Sequence, residues 1–253
     1  MRLRLIRHAT LVVECAGRRL LVDPMLDDAG ARPPVVNTPN QRENPLIALP
    51  MPAAAVASQW SACRCVTSTA STSRTTSAAL LDRLLPIACQ PEDETRLRDA
   101  GFTELHPVTD AVELAGVRIA RTAARHGTGE IGERMAPASG FVLRAADEPV
   151  TYIAGDSIWC PEVDEVLRRA APAVVVVNAG GARFLAGDPI TMDIEGVIAT
   201  CRAAPAARVV AVHMDAINHC LDTRADLAAH LREAGLEDRV AIPADGAWAE
   251  LDD

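Results

Sequence analysis

Tyr152-Ile-Ala-Gly-Asp156-Ser157, Ala173-Val-Val-Val-Val177-Asn178 and Val209-Val-Ala-Val-His213 decide how this chain is read. Each is a short apolar run that stops on a polar residue. The run at 173–177 is almost purely β-branched, as expected of a strand buried on both faces. Helical stretches lie between and after the runs: Glu162–Ala170, residues 191–203, and residues 222–234, which Asp222 is expected to cap and Gly235 to stop. Strand–helix alternation of this kind implies parallel strands with helices packed outside them. Asp156 and His213 then stand at strand ends, where the polar groups of such sheets share a crevice.

The rest of the chain extends the pattern. Residues 2–7, 10–16 and 18–23 read as strands, with a hairpin turn at Ala16-Gly17 and a stop at Asp23-Pro24. Residues 27–52 have neither helical nor strand period, and loops of that length are usually functional or mobile. Pro86–Cys89 is a short strand, and a helix opens at Pro91 and stops at Gly101. Residues 111–122 form a hairpin turning at Ala115-Gly116, and 139–145 pairs with 149–155. Short strands close the chain near 239–242 and 247–250. His126, after the strand that ends near 122, joins Asp156 and His213 as a third polar residue at a strand end.

Composition narrows the function. With 253 residues, 49% of them hydrophobic, the chain can bury a substantial core. A net charge of −9 argues against a nucleic-acid surface, which needs a basic face. No apolar run reaches the ~20 residues of a membrane span. The charged start lacks a signal-peptide core, so a cytoplasmic location is expected. The seven scattered cysteines do not form a secreted disulfide framework. Two imidazoles and a carboxylate are ligand types for zinc, manganese or iron. An ion held by them would lower the pKa of its water to about 7 and polarise a carbonyl or phosphoryl oxygen.

Leu5-Ile-Arg-His-Ala-Thr-Leu, Leu20-Leu-Val-Asp-Pro-Met, Arg125-His-Gly-Thr-Gly, Tyr152-Ile-Ala-Gly-Asp-Ser and Val212-His-Met-Asp-Ala-Ile-Asn-His together resemble the metallo-β-lactamase-fold superfamily. The branch they resemble most contains ascorbate-6-phosphate-lactonase-like proteins. The resemblance implies an α+β fold, a four-layer αββα sandwich, formed as a single domain over residues 1–253. It implies two divalent metal ions, zinc or manganese, at one edge of the sandwich. By position His126, Asp156 and His213 match metal ligands, with Asp156 the bridging carboxylate on which catalysis depends. His8 and Asp23 match positions beside the site, and His8, Asn178 and His219 are the candidates for facing substrate. The implied reaction is hydrolysis of a small, anionic ester, lactone or phosphoester. Assembly into a homo-oligomer is compatible with the sequence.

One departure dominates. The family motif His-x-His-x-Asp-His belongs between the N-terminal strands and the middle of the chain. There the sequence reads Cys63-Arg-Cys-Val-Thr-Ser-Thr-Ala-Ser-Thr-Ser-Arg-Thr-Thr-Ser77, and Pro45 to Leu81 contains no His, Asp, Glu or Lys. A catalytic zinc usually takes three protein ligands on one ion, so impaired metal loading and impaired turnover are expected. Two further readings follow: a non-catalytic binding protein or relic that keeps the fold without metals, and a chain that folds only partly around this segment. Read with the preceding base, Thr and Ser codons yield His, Asp and Leu codons, so residues 58–79 are expected to be a frame-shifted copy of the lost motif.

Two further motifs are set aside. Gly127-Thr-Gly-Glu-Ile-Gly132 has the glycine spacing of a dinucleotide loop but no evident strand–turn–helix unit around it. Gly155-Asp-Ser157 lacks the flanking glycines of a nucleophile elbow.

Overall fold

The computed structural model describes residues 1–58, 64–66 and 75–251. Strands β1 (Arg2–Arg7), β2 (Thr10–Cys15), β3 (Arg18–Val22), β4 (Arg64–Val66), β5 (Ile87–Cys89) and β6 (Leu105–Pro107) form one sheet in that order. The first three strands are antiparallel and the rest pair in parallel. The second sheet runs β13 (Val240–Ala241), β12 (Arg208–Val212), β11 (Val174–Asn178), β10 (Thr151–Ile153), β9 (Ala138–Arg144), β8 (Val117–Ala124), β7 (Ala111–Leu114). Its first four members are mutually parallel; β9, β8 and β7 continue as an antiparallel meander.

Period-two patterning sets the layers. Leu3, Leu5, Leu11, Val13, Leu20 and Val22 from the first sheet meet Val117, Ile119, Phe141, Val174, Val176 and Val210 from the second in one apolar layer. The alternate residues of the same strands face outward. Val12 and Leu21 pack with Val56, Ala78 and Leu97, from the helices α1 (Ala53–Ala57), α2 (Thr75–Leu80) and α3 (Glu94–Asp99). Val175, Val177, Val209 and Ala211 pack with Val163, Leu167, Val197, Cys201, Leu227 and Leu231. These come from α5 (Pro161–Ala170), α6 (Ile194–Ala203) and α7 (Arg224–Glu233), and α4 (Gly129–Met135) lies before β9. The expected αββα sandwich results. Each fully buried Leu, Val or Phe contributes roughly 1.5–3 kcal/mol of transfer free energy. No helix among the described residues is long and apolar enough to cross a membrane.

Several local expectations are corrected. Thr223, not Asp222, caps α7: its hydroxyl accepts from Asp226 N–H at 3.1 Å, and the Asp226 carboxylate accepts from Thr223 N–H at 3.2 Å. The reciprocal pair satisfies two helix-end donors at once. Asp222 instead accepts from Ile194 N–H at the start of α6 and from Arg183. The helix expected from Pro91 is a 3₁₀ turn, Pro91–Asp93, leading into α3. Residues 247–250 form no strand; Trp248 makes a single bridge to Arg4. A strand–turn–helix does surround Gly127–Gly132, from β8 into α4. Because β8 is antiparallel to both neighbours, it is not the βαβ unit of a dinucleotide site.

Candidate metal centre

The polar strand ends gather at one edge of the sandwich. His8 follows β1, Asp23 follows β3, His126 follows β8, Asp156 follows β10 and His213 follows β12. These five, with His219, line one cavity of about 560 Å³. His8, Asp23 and His213 have φ of 61°, 42° and 67°, in the left-handed region that side chains with a Cβ disfavour. Such strain costs on the order of 1–3 kcal/mol per residue and concentrates at functional sites. Gly155 (φ 68°) makes the turn that delivers Asp156. Gly180, just past β11, admits the neighbouring loop closely: a Cβ there would lie 2.3 Å from the His213 carbonyl oxygen.

His213 Nε2 lies 3.4 Å from Asp156 Oδ1, and Asn178 Nδ2 donates to the same oxygen at 2.7 Å. Asn178 is not among the cavity-lining residues and stands behind the carboxylate. His126 Nδ1 donates to the Ile190 carbonyl at 2.6 Å, which leaves Nε2 as the lone-pair nitrogen. The His8 and His213 rings stack with centroids 3.5 Å apart, and the His213 N–H donates to the His8 carbonyl at 2.9 Å. Nδ1 of His8 and Nδ1 of His219 are buried without a hydrogen-bond partner. Burial, followed by the neighbouring His213, His219 and Arg7, holds His8 well below the usual histidine range. Burial also lowers His213, against the raising effect of Asp156. It lowers His219 to about 4, with His213 adding to the effect. The three imidazoles are therefore neutral near pH 7 and offer lone pairs.

Three further residues support the site. Cys220 Sγ lies 3.5 Å from His213 Nδ1, and His8, His213 and Cys220 present ligand-type atoms all within 4.8 Å of one another. Ser157 accepts from Arg125 N–H at 3.1 Å, tying the His126 loop to the Asp156 loop, so its hydroxyl is committed to the backbone. Arg7 is wholly buried and donates to the carbonyls of Met25, Asp27 and Ile47 at 2.8–2.9 Å. Burial, opposed by Asp245 and Asp28, lowers its pKa to about 10. The recurrence of Arg2, Arg4 and Arg7 in the sequence does not distinguish this guanidinium from the exposed Arg2 and the half-buried Arg4.

The missing motif falls where the chain is least regular in sequence. β4 ends at Val66 and α2 begins at Thr75, and in the sequence Thr67–Arg74 stands between them, where the resemblance puts the motif. Those residues, and Cys63, lie outside the described residues. The flanking pieces are folded: β4 pairs with β3 and β5, and Ser77 Oγ donates to the Pro24 carbonyl at 2.8 Å.

Comparison with known proteins agrees with this architecture. A beta-lactamase superfamily domain is matched over residues 65–214. The chain is 32% identical to an isothiocyanate hydrolase from Delia radicum gut bacteria, with 98% of each chain covered and a TM-score of 0.88. It is 29% identical to a protein from Veillonella parvula described as "a possible metal-dependent hydrolase", with 98% of each covered and a TM-score of 0.93. It is 28% identical to the UPF0173 protein YddR of Bacillus subtilis, over 97% of this chain and 98% of that one. The chain belongs to the metallo-β-lactamase-fold superfamily.

Proposed function

We propose that the chain is a metal-dependent hydrolase of small esters, lactones or phosphoesters, built as a single domain, with His126, Asp156 and His213 as metal ligands. The observation that carries this reading is the meeting of those three residues, distant in sequence, on one cavity, with Asp156 and His213 3.4 Å apart. The donor chemistry fits one divalent ion: Asp156 supplies a carboxylate, His126 and His213 supply imidazole nitrogens, and the buried, unpartnered Nδ1 atoms of His8 and His219 belong to the same group of residues. When bound, the ion supplies an activated water and polarises the oxygen of the scissile group. Asn178 holds the Asp156 carboxylate in place, and the Ile190 carbonyl fixes the His126 tautomer. Such supporting hydrogen bonds are typically worth 10–100-fold in metal affinity. His219, neutral and on the cavity wall, is assigned to hydrogen-bond the substrate.

The isothiocyanate hydrolase, 32% identical over 98% of the chain, supports hydrolysis of a carbon electrophile. The test is turnover of p-nitrophenyl acetate by zinc- or manganese-loaded protein. Metal-dependent turnover lost in Asp156→Ala supports the assignment; turnover unchanged by chelation or by that substitution refutes it.

One observation favours a second reading, a non-catalytic protein that keeps the fold. Thr67–Arg74 contains no His, Asp, Glu or Cys, so its sequence supplies no donor of the usual kinds for a second ion. A folded protein that neither retains zinc nor turns over esters supports that reading.

A further inference from the structure

The cavity has two contrasting sides. Its floor is the His and Asp group at the strand ends. The rest of its lining is mainly apolar: Pro33, Pro34, Val35 and Val36 from the 27–52 loop, with Phe184 and Ile190, and with Asn44 and Thr191 as the uncharged polar members. Among the described residues, the only Arg or Lys that lines the cavity is Arg32, which is ion-paired with Asp27. Val36 and Leu185 are 67% and 70% exposed, two of the few large apolar side chains left in water among the described residues. The two segments are tied together, because Leu185 N–H donates to the Asn37 carbonyl at 2.7 Å.

The loop part of this lining is fastened rather than loose. Asn218, wholly buried, accepts from Val35 N–H at 2.9 Å and from Asn44 Nδ2 at 2.7 Å through one oxygen. Its amide nitrogen donates to the Val35 carbonyl at 3.1 Å, to Thr38 Oγ1 at 2.7 Å and to the Asn40 carbonyl. Arg7 grips both ends of the same loop at Asp27 and Ile47. A preformed apolar wall beside a few convergent polar groups is the usual form of a small-molecule site.

From these observations we infer that the substrate carries an uncharged, apolar tail, aromatic or branched alkyl, seated between Val35–Val36 and Phe184, with only its reacting group reaching the histidines. This deepens the hydrolase reading and rests on it for the word substrate. It departs from the anionic molecule that the family resemblance implies, because a phosphate on the tail would meet apolar walls and an arginine already neutralised by Asp27.

The probes are N-(2-phenylethyl)acetamide (neutral, aromatic tail), acetamide (no tail) and 2-phenylethyl phosphate (same tail, charged end), titrated calorimetrically into the full chain with and without zinc. N-(2-phenylethyl)acetamide is expected to bind saturably and at least about tenfold tighter than acetamide, a gain that burial of a phenyl group readily supplies. Val36→Asp, at an exposed position where folding is not at stake, is expected to weaken it by about tenfold through an unpaired charge beside an apolar ligand. 2-Phenylethyl phosphate binding tighter than the neutral amide would overturn the inference, as would an affinity indifferent to Val36→Asp. Saturable binding without ester turnover keeps the apolar site and removes the hydrolase reading. Turnover of polar esters without binding of the aromatic amide does the reverse.

Discussion

The ends of β10, β11 and β12 and the end of β4 are corresponding places in the two sheets, and they have diverged. In the second sheet the strand ends deliver Asp156, Asn178 and His213 to one point. In the first sheet β4 keeps its parallel pairing with β3 and β5, yet the sequence that follows it is Thr-Ser-Thr-Ala-Ser-Thr-Ser-Arg. Backbone topology rests on ladder hydrogen bonds and on the apolar layers either side, which many sequences satisfy. Metal chemistry rests on particular side chains at particular positions. The strand pairing and apolar layers of the described residues are therefore kept, although the sequence after β4 carries none of the four His and Asp residues of the expected motif.

Four changes separate scaffold from site, in falling order of effect. Phe141→Ala empties part of the layer shared by the two sheets and is expected to cost about 3–5 kcal/mol in denaturant unfolding. Leu97→Ala, on the outer face of the first sheet, should cost about 2–5 kcal/mol. A far smaller loss at Leu97 would show the first sheet to be the less cooperative half. Asn178→Ala is expected to weaken metal binding about 10–100-fold while leaving the unfolding midpoint nearly unchanged, because it removes support from Asp156 alone. Thr223→Ala deletes the α7 cap, at about 1 kcal/mol, without effect on metal binding.

The last expectation is a pH dependence remote from the site. Burial raises the Cys15 and Cys201 thiols to about 11 and Cys89 to about 12, all three in the packed layers. Unfolded thiols ionise near about pH 8.5. Above that value the unfolded chain releases protons that the folded chain keeps, so stability falls as pH rises from there toward the folded values. Denaturant midpoints measured between pH 7 and 10 should decline, and native alkylation at pH 8 should spare these three cysteines.

Much of this was legible in the sequence, for physical reasons that can be named. The runs at 173–177 and 208–212 are long enough and β-branched enough to be only buried strands, and the polar residue closing each strand had to lie at an edge. The meeting of His126, Asp156 and His213 at one cavity accordingly matches their strand-end places in the sequence. Asn178 was placed facing substrate, but it lies one layer back, because periodicity locates a residue on a strand and not its hydrogen-bond partner. Cys220, Arg7 and Asn218 had no signal: their importance comes from contacts across 7 to 183 residues of sequence. The Asp222 cap failed because two adjacent residues could each cap, and only the capping box through Asp226 decides between them.

In the proposed reading His126, Asp156 and His213 share a cation, and the sequence of Thr67–Arg74 supplies no donor for a second. Zinc content by mass spectrometry, after incubation in excess zinc and desalting, tests it most directly. The wild-type chain should keep about one equivalent and His213→Ala almost none, as three-ligand zinc sites require. The combined substitution Thr67→His, Thr69→His, Ser71→Asp and Thr72→His should raise retention to about two equivalents. A folded wild-type chain that keeps no zinc, or keeps the same amount after His213→Ala, would contradict the account.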